Sequence, residues 1–488
     1  MMQFNTGYYF TRQTLVFLVL AWLLHFLGCS GPELETWHKA NLTEEFTYDD
    51  AEDVHSFDDY IRLEVRLFDQ LEKKVYAKTE SGAGFELVRY SAGSASDPNR
   101  RNPNWNRSFE LKSDAPQGGV LLLHGMSDSP YSLRALGAAL HAKGYWVVVP
   151  RLPGHGTAPS SLKHIRWEDM AAVVHMCMAH LKEKVGSKPI HIVGYSTGAP
   201  LALDYTLNTL DKRAAPTPAS LILVSPAIGI HPMAGLAALR DGLSIIPGLG
   251  RLAWVSIEPE FDPYKYNSFA TNAGTQVHRV TRYVADRIAA RAKSDGYKDF
   301  PPVLVIKSTV DATVSTSAVI DRLLRPIGPH GHEMILFDIN RLAAQAPLLV
   351  SDPGPLAAKL MNDDTLPFAI TLVTNQSPHT AKVQIKYKPQ FKTEISANEP
   401  MGDEWPTGVI SLSHVALPFP PDDPLYGRFE PGNLQAIYLG QMAIKGERGL
   451  LKISSDWLLR LRYNPFYGYM ERRVVRWIND NDGAWQQP

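Results

Sequence analysis

The chain has 488 residues, 44% of them hydrophobic and 20% charged, with 49 Lys and Arg against 50 Asp and Glu. That composition excludes a wholly disordered or collagen-like chain, and a net charge of -1 gives no electrostatic footprint for nucleic acid. Only Cys29 and Cys177 are present, so no disulfide framework braces the fold.

Arg12 is the only charged side chain before Glu33, and the apolar stretch Leu15 to Leu24 follows it. A short n-region, an h-region and small residues around Gly28 read as an export signal over 1–28. The stretch is shorter than the ~20 residues a membrane span needs. Leu27-Gly28-Cys29 resembles a bacterial lipobox, in which the Cys becomes the diacylglyceryl-modified first residue; Phe26 stands where that motif usually has Leu. A signal anchor that happens to end in a Cys is the alternative. Cys29 is therefore the expected lipidation site, a membrane the expected partner, and the cell envelope the expected location.

From Pro32 to about Asp53 the chain is acidic and polar, and 29–55 reads as a tether ahead of one domain over 56–488. Phe57, Ile61, Val65, Phe68 and Leu71 recur at helical spacing and predict an amphipathic helix. Ser91 to Asn106 is loop-like. From Gly118 a regular alternation begins, with apolar runs at Val120–Leu123, Trp146–Val149, Ile190–Val193 and Leu221–Val224. Helical patterns at Ser132–Lys143, Trp167–Val185 and Gly198–Leu210 separate them. Apolar strands without polar alternation, joined by helices, predict a mostly parallel sheet covered on both faces.

The alternation lapses between Ala227 and about Phe300, where 227–300 reads as a mostly helical, aromatic-rich lid insertion. The sheet resumes at Val303–Ile306 and Met334–Phe337. A second insertion of mixed helix and strand spans 341–406, with strand-like runs near Ala369–Val373 and Val383–Tyr387. Val409–Leu412 reads as a last strand, and Val474, Val475 and Ile478 mark a closing helix.

Gly194-Tyr195-Ser196-Thr197-Gly198 fits the nucleophile elbow Gly-x-Ser-x-Gly, which needs tiny residues two before and two after a Ser on a strained strand-to-helix turn. A β-branched strand leads in and a helix leads out, which separates it from a chance match. A tight turn with a surface Ser is the alternative. His124-Gly125-Met126 closes an earlier strand of the same sheet. Its geometry would aim the Met126 and Thr197 backbone N–H groups at a developing oxyanion.

Leu123-His124-Gly125, Arg151-Leu152-Pro153-Gly154-His155-Gly156-Thr157 and the Ser196 pentapeptide together resemble the α/β-hydrolase superfamily. More narrowly they are similar to its monoacylglycerol lipase, carboxylesterase and serine aminopeptidase branch. The likeness is close over Gly118 to about Val224, looser over Pro302 to Asp311 and at the C-terminal end. It implies the α/β-hydrolase fold, with His155 structural.

Triad order in this fold is Ser, acid, His. The run Val303 to Asp311 resembles the family's penultimate strand, with Asp311 at the carboxylate position; a helix cap is the other job open to it, and Asp321 and Asp338 are rivals. The base departs from the family pattern, because His414 lies far beyond the few tens of residues usual after the acid. Treating 341–406 as an insertion before the catalytic loop accounts for it. His379, His330 and His332 remain rivals, His124 reads as structural, and Cys177 reads as a small core residue on a helix.

No zinc spacing, Walker loop or dinucleotide fingerprint is present, so no metal or cofactor is implied. The expectation is a serine hydrolase using Ser196, His414 and Asp311 on carboxylic esters. The resemblance and the aromatic-rich insertion point to a small-molecule ester or lipid-like substrate. A serine aminopeptidase, an acyltransferase and a non-catalytic surface lipoprotein on the same scaffold are the alternatives.

Overall fold

The computed structural model describes residues 32–212, 215–229, 250–294, 297, 299–311, 314–342, 352–428, 437–440 and 461–482. The expected export signal and Cys29 lie outside the described residues. Among the described residues no helix is long and apolar enough to cross a membrane.

Among the described residues a ten-stranded sheet organises the fold. Its first half comprises β1 (Phe109–Leu111), β2 (Gly119–Leu123), β3 (Trp146–Val149), β4 (Ile190–Tyr195) and β5 (Ser220–Val224). A separate two-stranded ribbon, β6 (Trp254–Ser256) with β7 (Phe269–Ala270), intervenes. The large sheet continues with β8 (Val303–Ser308), β9 (Glu333–Phe337), β10 (Ala369–Asn375), β11 (Lys382–Lys388) and β12 (Ala397–Glu404). The spatial order is β1-β3-β2-β4-β5-β8-β9-β10-β11-β12. Every neighbouring pair from β3 to β10 is parallel, while β1 pairs antiparallel with β3 at one edge and β11 pairs antiparallel with both β10 and β12 at the other.

Both faces of the central strands are buried, which explains their unbroken apolar runs. Leu121, Leu123, Ile192, Leu223 and Val305 join one core, and Val120, Leu122, Val193, Ile222 and Leu304 join the other. Helix α1 (Phe57–Lys74) precedes the sheet, and α2 (Arg134–His141) follows β2. Helices α3 (Trp167–Val185), α4 (Gly198–Lys212) and α5 (Thr271–Lys293) contribute Val174, Leu203 and Val284 to the first core. Helix α6 (Gly354–Met361) leads toward β10, and α7 (Tyr467–Asp482) joins α2 on the second core through Met470, Val474 and Ile478. Cys177 sits fully buried on α3, where burial pushes its thiol up, so it packs as a small apolar group.

The structure corrects several expectations. Residues 32–55 are not a free tether, because Trp37, Leu42, Phe46 and Val54 are buried against the body. The acidic composition misleads there, since Glu44, Glu45 and Asp49 pair with Arg66, Arg151 and Arg166. Glu45 accepts from both terminal nitrogens of the fully buried Arg151, at 2.9 and 3.0 Å, and Tyr48 N–H donates to Asp169 at 2.7 Å. In α1 the buried stripe runs through Phe57, Tyr60, Leu63, Leu67, Phe68 and Leu71, while Val65 faces solvent.

The span 227–300 is not simply a lid: its described part includes α5, which crosses from β5 toward β8 with Val280, Val284 and Ile288 in the main core. The second insertion, 341–406, joins the sheet, because β10 pairs parallel to β9 and carries the large sheet outward. Val409–Leu412 forms no strand. Instead Asn340 donates its backbone N–H to the Ile410 carbonyl and its side-chain amide to the Val409 carbonyl, taking up the groups a sheet partner would use.

At the end of β4 the chain turns sharply into α4, and the turn has room only for glycine. A Cβ at Gly198 would lie 2.2 Å from the Leu123 carbonyl oxygen, and one at Gly194 would lie 2.6 Å from the Ala199 Cα. Between them Ser196 adopts φ +53, a left-handed conformation that costs a non-glycine residue ~1–3 kcal/mol.

Two stability outcomes follow from these contacts. Glu45→Ala leaves the buried Arg151 guanidinium with the more distant Glu64 carboxylate at 3.8 Å and is expected to cost about 2–4 kcal/mol in a denaturant melt, while a neutral result would show that the N-terminal segment is not anchored there. Gly198→Ala is expected to cost about 3 kcal/mol or more. Gly274→Ala within α5, where a Cβ meets only Phe269 at an ordinary 3.6 Å, is expected to gain up to about 1 kcal/mol. Equal effects from the two glycine changes would contradict the tight turn.

Candidate active site

The C-terminal ends of the parallel strands bring three distant residues together. Ser196 follows β4, Asp311 follows β8, and His414 opens a short 3-10 turn, His414–Ala416, in the long loop before α7. Ser196 Oγ lies 3.1 Å from His414 Nε2, and His414 Nδ1 lies 3.0 Å from Asp311 Oδ2. A carboxylate can only accept, so Nδ1 carries the proton and Nε2 presents its lone pair to the Ser196 hydroxyl. The Asp311 side chain is completely buried and that of His414 is 13% exposed.

Each of the three is held from behind. The Ser196 N–H donates to the Val224 carbonyl on the neighbouring strand, at 2.9 Å. The His414 loop is anchored by buried Leu412, Ala416 and Leu417, and Ser413 donates its hydroxyl to the Leu461 carbonyl. Tyr195 sits beneath it, its ring 5.5 Å from the imidazole and its hydroxyl donating to the His414 carbonyl at 3.4 Å. The Asp311 Oδ1 accepts from Val314 N–H at 3.1 Å. Burial alone would raise the Asp311 carboxyl. The hydrogen bond and charge of His414, joined by the Lys307 ammonium, outweigh it and hold the group well below the usual carboxylate range.

The loop after β2 lies alongside. Gly125 is needed for close approach, since a Cβ there would sit 3.0 Å from the Ser196 Cβ. Met126 lies in the loop after β2 and Thr197 directly follows Ser196 after β4, and among the described residues no acceptor takes either backbone N–H. Ser127, at φ +63, is pinned by Tyr266 N–H donating to its carbonyl at 2.8 Å.

The remaining histidines and acids have other partners or places. His124 Nδ1 donates to the Gly125 carbonyl and its Nε2 accepts from Leu152 N–H, so the ring braces the loop. His155 bonds to the Pro153 carbonyl. His332 accepts from Val303 N–H, His379 is exposed in the β10–β11 turn, and Asp338 pairs with Arg341. Asp321 is exposed.

One residue beside the site had no role in the sequence reading. Lys307, next to last in β8, is fully buried and its Nζ donates to Asp311 Oδ2 at 2.9 Å. A lone charge in a strand otherwise reading Val-Leu-Val-Ile, four residues before the expected carboxylate, is the signal that could have found it.

Residues 120–346 match the alpha/beta hydrolase family model. The thermostable monoacylglycerol lipase of Bacillus sp. (strain H-257) is 38% identical over 85 residues, 17% of this chain and 33% of that protein. The magnesium-chelatase 30 kDa subunit of Rhodobacter capsulatus is 35% identical over 135 residues, 27% of this chain and 46% of that one. The chain thus spans less than half the length of these curated relatives. Among solved structures, the monoacylglycerol lipase of Paleococcus ferrophilus is similar at 19% identity and a TM-score of 0.36, over 47% of this chain and 88% of that one. Over residues 120–346, the strand order, the elbow and the family match agree on the α/β-hydrolase fold, and the chain is similar there to monoacylglycerol lipases and esterases.

Proposed function

We propose that the protein is a serine hydrolase that cleaves carboxylic esters through an acyl-enzyme on Ser196. The observation that carries this reading is the continuous chain from the Ser196 hydroxyl to His414 Nε2, 3.1 Å, and from His414 Nδ1 to Asp311, 3.0 Å. His414 would take the Ser196 proton as Oγ attacks the acyl carbonyl, and Asp311 would fix the tautomer and stabilise the imidazolium. The uncommitted Met126 and Thr197 amides suit the oxyanion, where one such donor is typically worth about 3–4 kcal/mol of transition-state stabilisation. His414 would then protonate the leaving alcohol and activate water, which releases the acid and restores Ser196.

The substrate class rests on relatives and not on the site. The named lipase favours an acylglycerol-like ester, whereas the chelatase-subunit match shows that the same core sequence accompanies other names.

Hydrolysis of p-nitrophenyl esters from acetate to palmitate by the full chain, beside Ser196→Ala and Asp311→Asn, tests the reading. Ser196→Ala is expected to lose about 10⁶ in kcat, and Asp311→Asn about 10⁴. Turnover of aminoacyl p-nitroanilides without ester turnover would move the chemistry to an aminopeptidase. Ester turnover retained by Ser196→Ala would refute the nucleophile.

A further inference from the structure

Lys307 is a lysine inside the sheet, with no exposed surface on the side chain. Burying an ammonium is costly unless it is paired, and this one is paired twice. It donates to Asp311 Oδ2 at 2.9 Å and to the Val314 carbonyl at 2.5 Å. The same Asp311 oxygen accepts from His414 Nδ1, so the ammonium and the imidazole meet on one atom. We propose that Lys307 is a positioning residue that neutralises Asp311 from behind and thereby sets the acid side of the pH–rate profile. The proposal rests on the triad reading above.

A buried carboxylate with no other cation beside it would draw a second proton onto His414, and an imidazolium cannot take the Ser196 proton. The Lys307 charge opposes that second proton, so the base stays competent at lower pH. Lys307 also fixes where Asp311 points, since its Val314 contact ties the carboxylate to the turn that follows β8. Titratable groups also stand on the neighbouring elements. Tyr195, from the end of β4, has its phenol pushed well up by burial and stays neutral. Behind it Asp128, from the loop after β2, has Lys265 at 4.0 Å. Neither is a cation, so the Lys307 ammonium acts on Asp311 beside the larger influence of His414.

The test is kcat/KM for p-nitrophenyl butyrate across the pH range, using the full chain, Lys307→Gln, Lys307→Met, Lys307→Arg and Ser196→Ala. An active wild type with an inactive Ser196→Ala secures the triad reading; failure of either sinks that reading, and this inference with it. Given both, the neutral Gln and Met variants are expected to move the acid limb up by about one pH unit, with ~10-fold lower kcat/KM on that limb and a smaller loss on the plateau. Lys307→Arg keeps the charge and is expected to keep the wild-type limb. Folded neutral variants with an unmoved limb would overturn the proposal. So would a loss equal at every pH, or an Arg variant that shifts like Gln. If Gln and Met both fail to fold while Arg folds, Lys307 is a folding residue and the proposal is likewise overturned.

Discussion

Gly198 and the Leu123 carbonyl stand so close that no side chain fits between α4 and the end of β2. This approach lets β4 deliver the chain into α4 through a turn tight enough to hold Ser196 at φ +53. The strain there, ~1–3 kcal/mol, persists because two buried cores clamp the strands on either side. A softer turn would leave the serine on an ordinary surface, with its hydroxyl free to point elsewhere. The parallel sheet is thus a device for holding one unfavourable backbone conformation still.

The rest of the site is assembled against that fixed point. Asp311 comes from a short turn after β8, and His414 arrives on a loop anchored by buried Leu412, Ala416 and Leu417. Lys307 reaches the same carboxylate from within β8. The N-terminal segment contributes at longer range. Glu45 neutralises Arg151, whose guanidinium also donates to the His155 carbonyl in the loop after β3. Two buried cations, each satisfied by a carboxylate, therefore stand close to the strand ends from which the site is built.

Much of this architecture was legible because parallel strands buried on both faces must be apolar throughout. Trp146–Val149 and helix Trp167–Val185 have the ends their patterns indicate. The edge was not legible: β12, Ala397–Glu404, carries Pro400, Gly402 and three acids on an exposed strand, where burial imposes no pattern. Residues 32–55 misled for the opposite reason, as their acids mask Trp37, Leu42, Phe46 and Val54, which occur at no regular spacing. The place of His414 followed from the turn residues around it, but its distance to Ser196 depends on how 341–406 packs. That span joins the sheet, so its length does not push the two residues apart.

The central claim is that Ser196 is an activated nucleophile. The most direct measurement is intact-protein mass after reaction with a fluorophosphonate, followed by peptide mapping, in the wild type and in His414→Ala. The account predicts one phosphonyl adduct, on Ser196, forming at least ~10²-fold more slowly without His414. An unmodified Ser196, or labelling at an unchanged rate in His414→Ala, would contradict it.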